Sequence, residues 1–197
     1  MQKERRAEGR KVTFFKAAYI EHEGKLEFVT LRNLSPKGVC FAGNTAVKIG
    51  DRITFCFGSE EPREGTVAWT RGLQFGVKVE GEDLGDLLHL EQYQPRAVRL
   101  PVEGEAKLYV DGSRHECVVR NLSLKGACIS TRAPVRRGQL LSLEVAGQSF
   151  ELATVKWVEG DKAGISFAAP IPPASFRSLL AKTQARAGDD GPAEVAA

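Results

Sequence analysis

No apolar run in this chain approaches the roughly 18 residues that a membrane-spanning helix needs, so membrane insertion is not expected. The charged start, Met1-Gln2-Lys3-Glu4-Arg5-Arg6, has no apolar stretch behind it, and a secretory leader is not expected either. Cysteines are few. The four, at 40, 56, 117 and 128, make no CxxC pair and no ligand-spaced cluster. That argues against a disulfide framework or structural metal, and for small buried hydrophobes in a reducing cytoplasm. His22, His89 and His115 stand alone, so no metal or other cofactor is expected. A phosphate-binding P-loop, a GxSxG elbow and a clustered acid pair with a nearby base are all missing, and no enzymatic activity is expected. Excess charge is missing too. A net charge of +3 over 197 residues is too small to coat a nucleic acid. An RNA-binding barrel would need aromatics alternating with Lys or Arg on adjacent strands, and Phe14, Phe15, Phe55 and Phe57 have no such basic platform.

What the chain does have is a repeat. Arg32-Asn33-Leu34-Ser35-Pro36-Lys37-Gly38 recurs 88 residues later as Arg120-Asn121-Leu122-Ser123-Leu124-Lys125-Gly126. At the same offset Cys40 maps to Cys128, Gly50 to Gly138, Trp69 to Trp157, Gly72 to Gly160 and Gly76 to Gly164. Ungapped agreement on this scale means one domain written twice. Two tandem domains of about 90 residues each are small but large enough to fold alone. The expected division is 1–93 and 94–186, with 187–197 a disordered tail that has little to bury.

Each copy reads as six short strands. In the first they fall near 12–20, 26–31, 38–42, 52–57, 65–70 and 74–79; Arg52-Ile53-Thr54-Phe55-Cys56-Phe57 alternates polar and apolar as a half-buried strand should. Six short strands at regular spacing predict a small antiparallel barrel. The period then changes: Leu84, Leu87, Leu88 and Leu90 give a helical apolar face over 82–93, stopped by Pro95. The second copy repeats the plan from Ala106 onward and ends in a helix over about 174–185, with Phe176, Leu179 and Leu180 on one face. The fold class is therefore all-β with terminal helices: two six-stranded barrels, each followed by a helix. Trp69 and Trp157, on equivalent strands, are expected to pack in the core or between sheets.

Basic residues cluster locally. Lys3, Arg5, Arg6, Arg10 and Lys11 outnumber Glu4 and Glu8 at the start, and the stretch 93–137 is basic as well. Such clusters suit a small anion better than a long polyanion. Arg6 and Arg10, four apart on a polar segment expected to be mobile, precede the first strand. About 23 residues later comes Asn33-x-Ser35-x-x-Gly38, read as a polar turn between strands. Arg offers a planar fork for phosphate or for the O6/N7 edge of guanine. Asn can pair with a base edge, Ser can donate to phosphate or backbone, and Gly38 lets the backbone turn and a ligand approach.

In this order, over about residues 4–92, these features resemble the PilZ domain family, whose pattern is RxxxR before a six-stranded barrel and then [D/N]xSxxG between its second and third strands. The resemblance implies a receptor for cyclic di-GMP, with Arg6, Arg10, Asn33, Ser35 and Gly38 as the ligand residues and Arg5 as a further basic group beside them. The second copy keeps Asn121, Ser123 and Gly126 but departs upstream: Pro95 stands where the first motif arginine belongs, leaving Arg96 and Arg99 only three apart. Arg96 and Arg99 lie between the two copies, where a clamped ligand would also fix their relative orientation. The resemblance further implies a partner protein and an output in motility, pili, exopolysaccharide or virulence. The alternative is a tandem adaptor that binds proteins without ligand.

Overall fold

The computed structural model describes residues 12–57, 61–80, 84 and 97–189. The chain divides into two compact units, Met1–Val98 and Arg99–Ala197. The first contains strands β1 (Val12–His22), β2 (Lys25–Ser35), β3 (Gly38–Ala42), β4 (Arg52–Phe57), β5 (Arg63–Arg71) and β6 (Gln74–Lys78). They close into an antiparallel barrel in the order β1-β2-β3-β6-β5-β4. The second contains β7 (Leu100–Val110), β8 (Ser113–Ser123), β9 (Gly126–Thr131), β10 (Leu140–Val145), β11 (Gln148–Glu159) and β12 (Lys162–Ser166), closed in the same order, and ends in α1 (Pro173–Asp189). Closure leaves no unpaired sheet edge, which lets so small a domain expose its strands safely.

Alternation along the strands fills each barrel. Ala18, Ile20, Val29 and Leu31 of the first unit are buried to 1% exposure or less, as are Leu108, Val119, Ile129 and Leu143 of the second. The hairpins turn at Glu23-Gly24 and Asp111-Gly112, both residues of each pair at positive φ. That is the left-handed geometry a two-residue hairpin loop requires, and the second position of each is glycine.

Three expectations change. The strands are longer than predicted: β2 and β8 run on to Ser35 and Ser123, so the Asn and Ser of the repeated motif belong to the strands and only the two residues after them form the turn. Strand β7 starts at Leu100, not Ala106. Pro101 sits second in the strand beside a register shift, where a missing N–H is tolerated. Finally, α1 runs to Asp189 instead of ending near Ala185; Phe176, Leu179 and Leu180 are its buried face, and Thr183 packs against Gly104 of β7. The helix expected over 82–93 lies outside the described residues apart from Leu84, which is fully buried in the first core. Among the described residues no helix is long and apolar enough to cross a membrane, which says nothing of strands.

Candidate ligand-binding site

The repeated turn is locked from several directions. Ser35 Oγ donates to the Gly38 carbonyl at 2.9 Å, and Ser123 Oγ to that of Gly126 at 3.1 Å. The turn carbonyls are held from behind: Leu84 N–H donates to Pro36 O (2.9 Å) and Val79 N–H to Lys37 O (3.1 Å). In the second unit Ile171 and Phe167 make the equivalent bonds to Leu124 O (2.7 Å) and Lys125 O (2.9 Å). Two consequences follow. The serine proton is directed at the backbone, so neither hydroxyl has a donor left for a ligand; the buried Ser123 Oγ also accepts from the Lys125 N–H at 3.3 Å. And Gly38 is not at positive φ, so its conformational freedom is not what the turn uses. A Cβ at Gly38 would come within 2.5 Å of Val77 O, and one at Gly126 would collide with Ile165 O. The glycine is there because the neighbouring strand's backbone crosses too close for a side chain.

From the turn a row of facing residues crosses four strands. Asn33 faces Cys40, Cys40 faces Gly76, and Gly76 faces Trp69. The second barrel repeats it as Asn121, Cys128, Gly164 and Trp157. Three strand spacings make the row about 14 Å long. A register shift precedes each end, between Leu31 and Asn33 and between Val67 and Trp69, with the same two shifts in the second barrel. Such bulges re-aim the side chain that follows.

The tryptophans correct the sequence reading. They lie on the outer face of the barrels, 41% and 38% exposed. The five-membered ring of each indole covers its facing glycine so closely that a Cβ on Gly76 or Gly164 would fall inside it. Each indole is thus seated against backbone through its five-membered ring and remains partly exposed. The signal that points to this is the pair of strand glycines at the repeat offset, since a glycine inside a strand marks close approach by another group.

Around the first row lies an open groove of about 470 Å³ lined by Asn33, Ser35, Lys37, Trp69, Gln74 and Lys78 among others. That is a volume typical of small-molecule sites. Among the described residues the Asn33 and Asn121 side-chain amides have no hydrogen-bond partner. Lys78 pairs with Glu80 at 2.9 Å, and that hydrogen bond and charge hold the Glu80 carboxyl below its ordinary value. Around the second row the cations are more numerous. Burial raises the Cys128 thiol above its usual value, while Lys162, Arg99 and Arg120 all pull it back. Arg99 directly precedes Leu100, and Leu100 and Pro101 face Leu122 and Asn121 of the motif strand. Arg120 is oriented by Ser130 Oγ (3.0 Å) and by Glu103. The structure brings together Asn33, Ser35 and Gly38, and likewise Arg99, Asn121, Ser123 and Gly126. Arg5, Arg6, Arg10 and Arg96 lie outside the described residues.

Fold and site define a duplicated small barrel with a locked polar turn at one end of a row and an exposed indole at the other. The chain belongs to the PilZ domain family, whose profile matches it twice, over residues 4–94 and 93–184. No curated protein matches it. Among solved structures it is similar to PlzA of Borreliella burgdorferi in complex with c-di-GMP (14% identity, 90% of this chain and 94% of that one, TM-score 0.36). It is similar too to the Bacillus subtilis inhibitor of motility MotI/DgrA (12%, 91% and 99%, 0.36) and to Escherichia coli YcgR in complex with c-di-GMP (15%, 89% and 88%, 0.35). At those scores family membership rests on the two matched segments and not on these structures.

Proposed function

We propose that the protein is a cytoplasmic cyclic di-GMP receptor that performs no chemistry of its own and regulates a protein partner through the change that ligand imposes on it. The observation that carries this reading is the row itself: a base-edge reader, a glycine floor and a stacking platform held in the same register in two barrels of a family whose ligand is a guanine dinucleotide. Asn33 meets the base edge with its unspent amide. Trp69 stacks on a base, a contact that tolerates displacement along the strand and is worth about 1–3 kcal/mol. Ser35 and Gly38 hold and clear the turn rather than grip phosphate. Arg6 and Arg10, with Arg5 beside them, close on the phosphates or on guanine O6/N7, and that closure alters the surface a partner meets. In the second barrel Asn121, Ser123, Gly126 and Trp157 repeat the arrangement, with Arg96 and Arg99 as its arginines.

Calorimetric titration with cyclic di-GMP tests this on wild type, Arg10→Ala and Arg99→Ala. Loss of a charge-assisted fork costs about 2 kcal/mol, so each variant weakens its own site roughly thirtyfold. Absence of binding by wild type at tens of micromolar rejects the receptor in favour of the ligand-independent adaptor. Full binding by Arg10→Ala rejects the arginine assignment.

A further inference from the structure

The second barrel carries another opening, which the repeated motif does not account for. Across the outer face of β7, β8 and β9 runs an open groove of about 680 Å³, lined among others by Glu105, Lys107, Arg120, Ser130, Arg132 and Asp161. At the repeat offset the first barrel has Ala17, Tyr19, Arg32, Ala42, Asn44 and Leu73, so all of the charge except that of Arg120 is particular to the second copy. Part of it is internally satisfied. Lys107 pairs with Glu144 at 3.0 Å, and Arg120 is held by Ser130 and Glu103. Arg132, Glu105 and Asp161 have no side-chain partner among the described residues. The Thr131 N–H donates to Asp161 O at 2.8 Å, which brings the strand end carrying Arg132 against the turn carrying Asp161.

Mixed sign selects the ligand. Carboxylates facing the groove repel a polyphosphate, and the arginines repel a cation. A flat group that offers acceptors and donors side by side satisfies both. Guanine does so: O6 and N7 accept from an arginine fork, while N1–H and the N2 amino group donate to a carboxylate. Adenine offers no such pairing, because its amino group stands where guanine has O6. The groove also adjoins the second row: its lining residue Arg120 directly precedes Asn121 on β8, and Ser130 lies two residues beyond Cys128 on β9.

We propose that this groove is a guanine-base subsite in which Arg132 reads O6/N7 and Asp161 reads the N1/N2 edge. The second barrel then recognises a guanine ligand without the four-residue arginine spacing of the first. The base identity stands on the groove alone; that the base belongs to a cyclic dinucleotide rests on the function proposed above. The test is calorimetry on the full chain in an Arg10→Ala background, with Arg132→Ala or Asp161→Asn added, titrated with cyclic di-GMP, cyclic di-AMP and GMP. The expected result is a loss of guanine-ligand affinity of about tenfold or more for each added change, with a narrowed preference over the adenine dinucleotide and an unchanged unfolding temperature. Normal cyclic di-GMP binding, unmoved by either change, overturns the subsite and leaves the receptor standing. Binding of GMP that depends on Asp161, without any binding of cyclic di-GMP, supports the subsite and overturns the receptor. No binding of any guanine ligand overturns both.

Discussion

The two barrels share a topology, their turns, paired bulges and a row, yet their cores and outer faces are built from different side chains. The first is filled with aromatics: Phe41 lies 5.5 Å from Phe55 and 5.7 Å from Phe75, ring centre to ring centre. The second has Ile129, Leu143 and Ala163 in those places, and its close aromatic pair is Phe150 with Phe167, stacked at 4.2 Å. The outer faces diverge as well. Phe28, Tyr19 and Cys56 face one another across β2, β1 and β4 and are buried; Glu116, Lys107 and Glu144 occupy the same three positions across β8, β7 and β10, with Lys107 and Glu144 ion-paired. A core tolerates exchange so long as its volume is kept. The row has no such freedom, because its glycine floors and bulges serve contacts that a change of volume cannot compensate. What the copies hold in common is therefore the better guide to the site.

Emptying the two cores should separate the barrels most. Phe41→Ala is expected to cost about 4 kcal/mol and Ile129→Ala about 3 kcal/mol, because the larger ring leaves the larger cavity in a wall of other rings. Urea unfolding of both variants checks the order, and equal losses would mean that the aromatic core confers nothing special. Glycine substitution at the turn comes next. Gly126→Ala should destabilise by about 2 kcal/mol or more, and Gly38→Ala by less, since its new Cβ meets the opposing carbonyl at a longer distance. Thermal melting of the pair decides, and a neutral Gly126→Ala would show that the strand can move aside.

The smallest effect has opposite sign in the two barrels. Burial raises the Glu27 carboxyl above its usual value, and the hydrogen bond and charge of Lys107 lower that of Glu144. The raised group stabilises the fold below its unfolded value, and that contribution is lost as pH rises through the folded one. The lowered group stabilises above its unfolded value and fails as pH falls through the folded one. Climbing from about pH 3 to about pH 6 therefore takes stability from the first barrel at Glu27 and gives it to the second at Glu144. Glu27→Gln and Glu144→Gln should remove slopes of opposite sign from denaturant midpoints measured across that range. Slopes of the same sign would contradict it.

Much of this was legible in the chain. The 88-residue offset located both barrels, and alternation found their strands. Asn33, Ser35 and Gly38 announced the turn because they recur with their spacing intact. What stayed hidden depends on register, which no single segment carries. Gly38 looks like a hinge until Val77 is placed beside it. Trp69 looks like core until a bulge turns it outward over Gly76. Ser35 looks like a phosphate donor until its hydroxyl is found donating to Gly38 O. Asp161 and Arg132 lie 29 residues apart in the chain and share a groove only because a backbone bond joins the two segments that carry them.

The chain has two tryptophans, and each ends one row with its ring half open to water. Indole emission follows the polarity around the ring, so a ligand that settles on a row displaces that water and shifts the colour of one residue. The molecule thus carries one optical reporter per barrel. Replacing Trp69 or Trp157 by phenylalanine leaves a single lamp lit, and its response says which barrel is occupied without any attached dye.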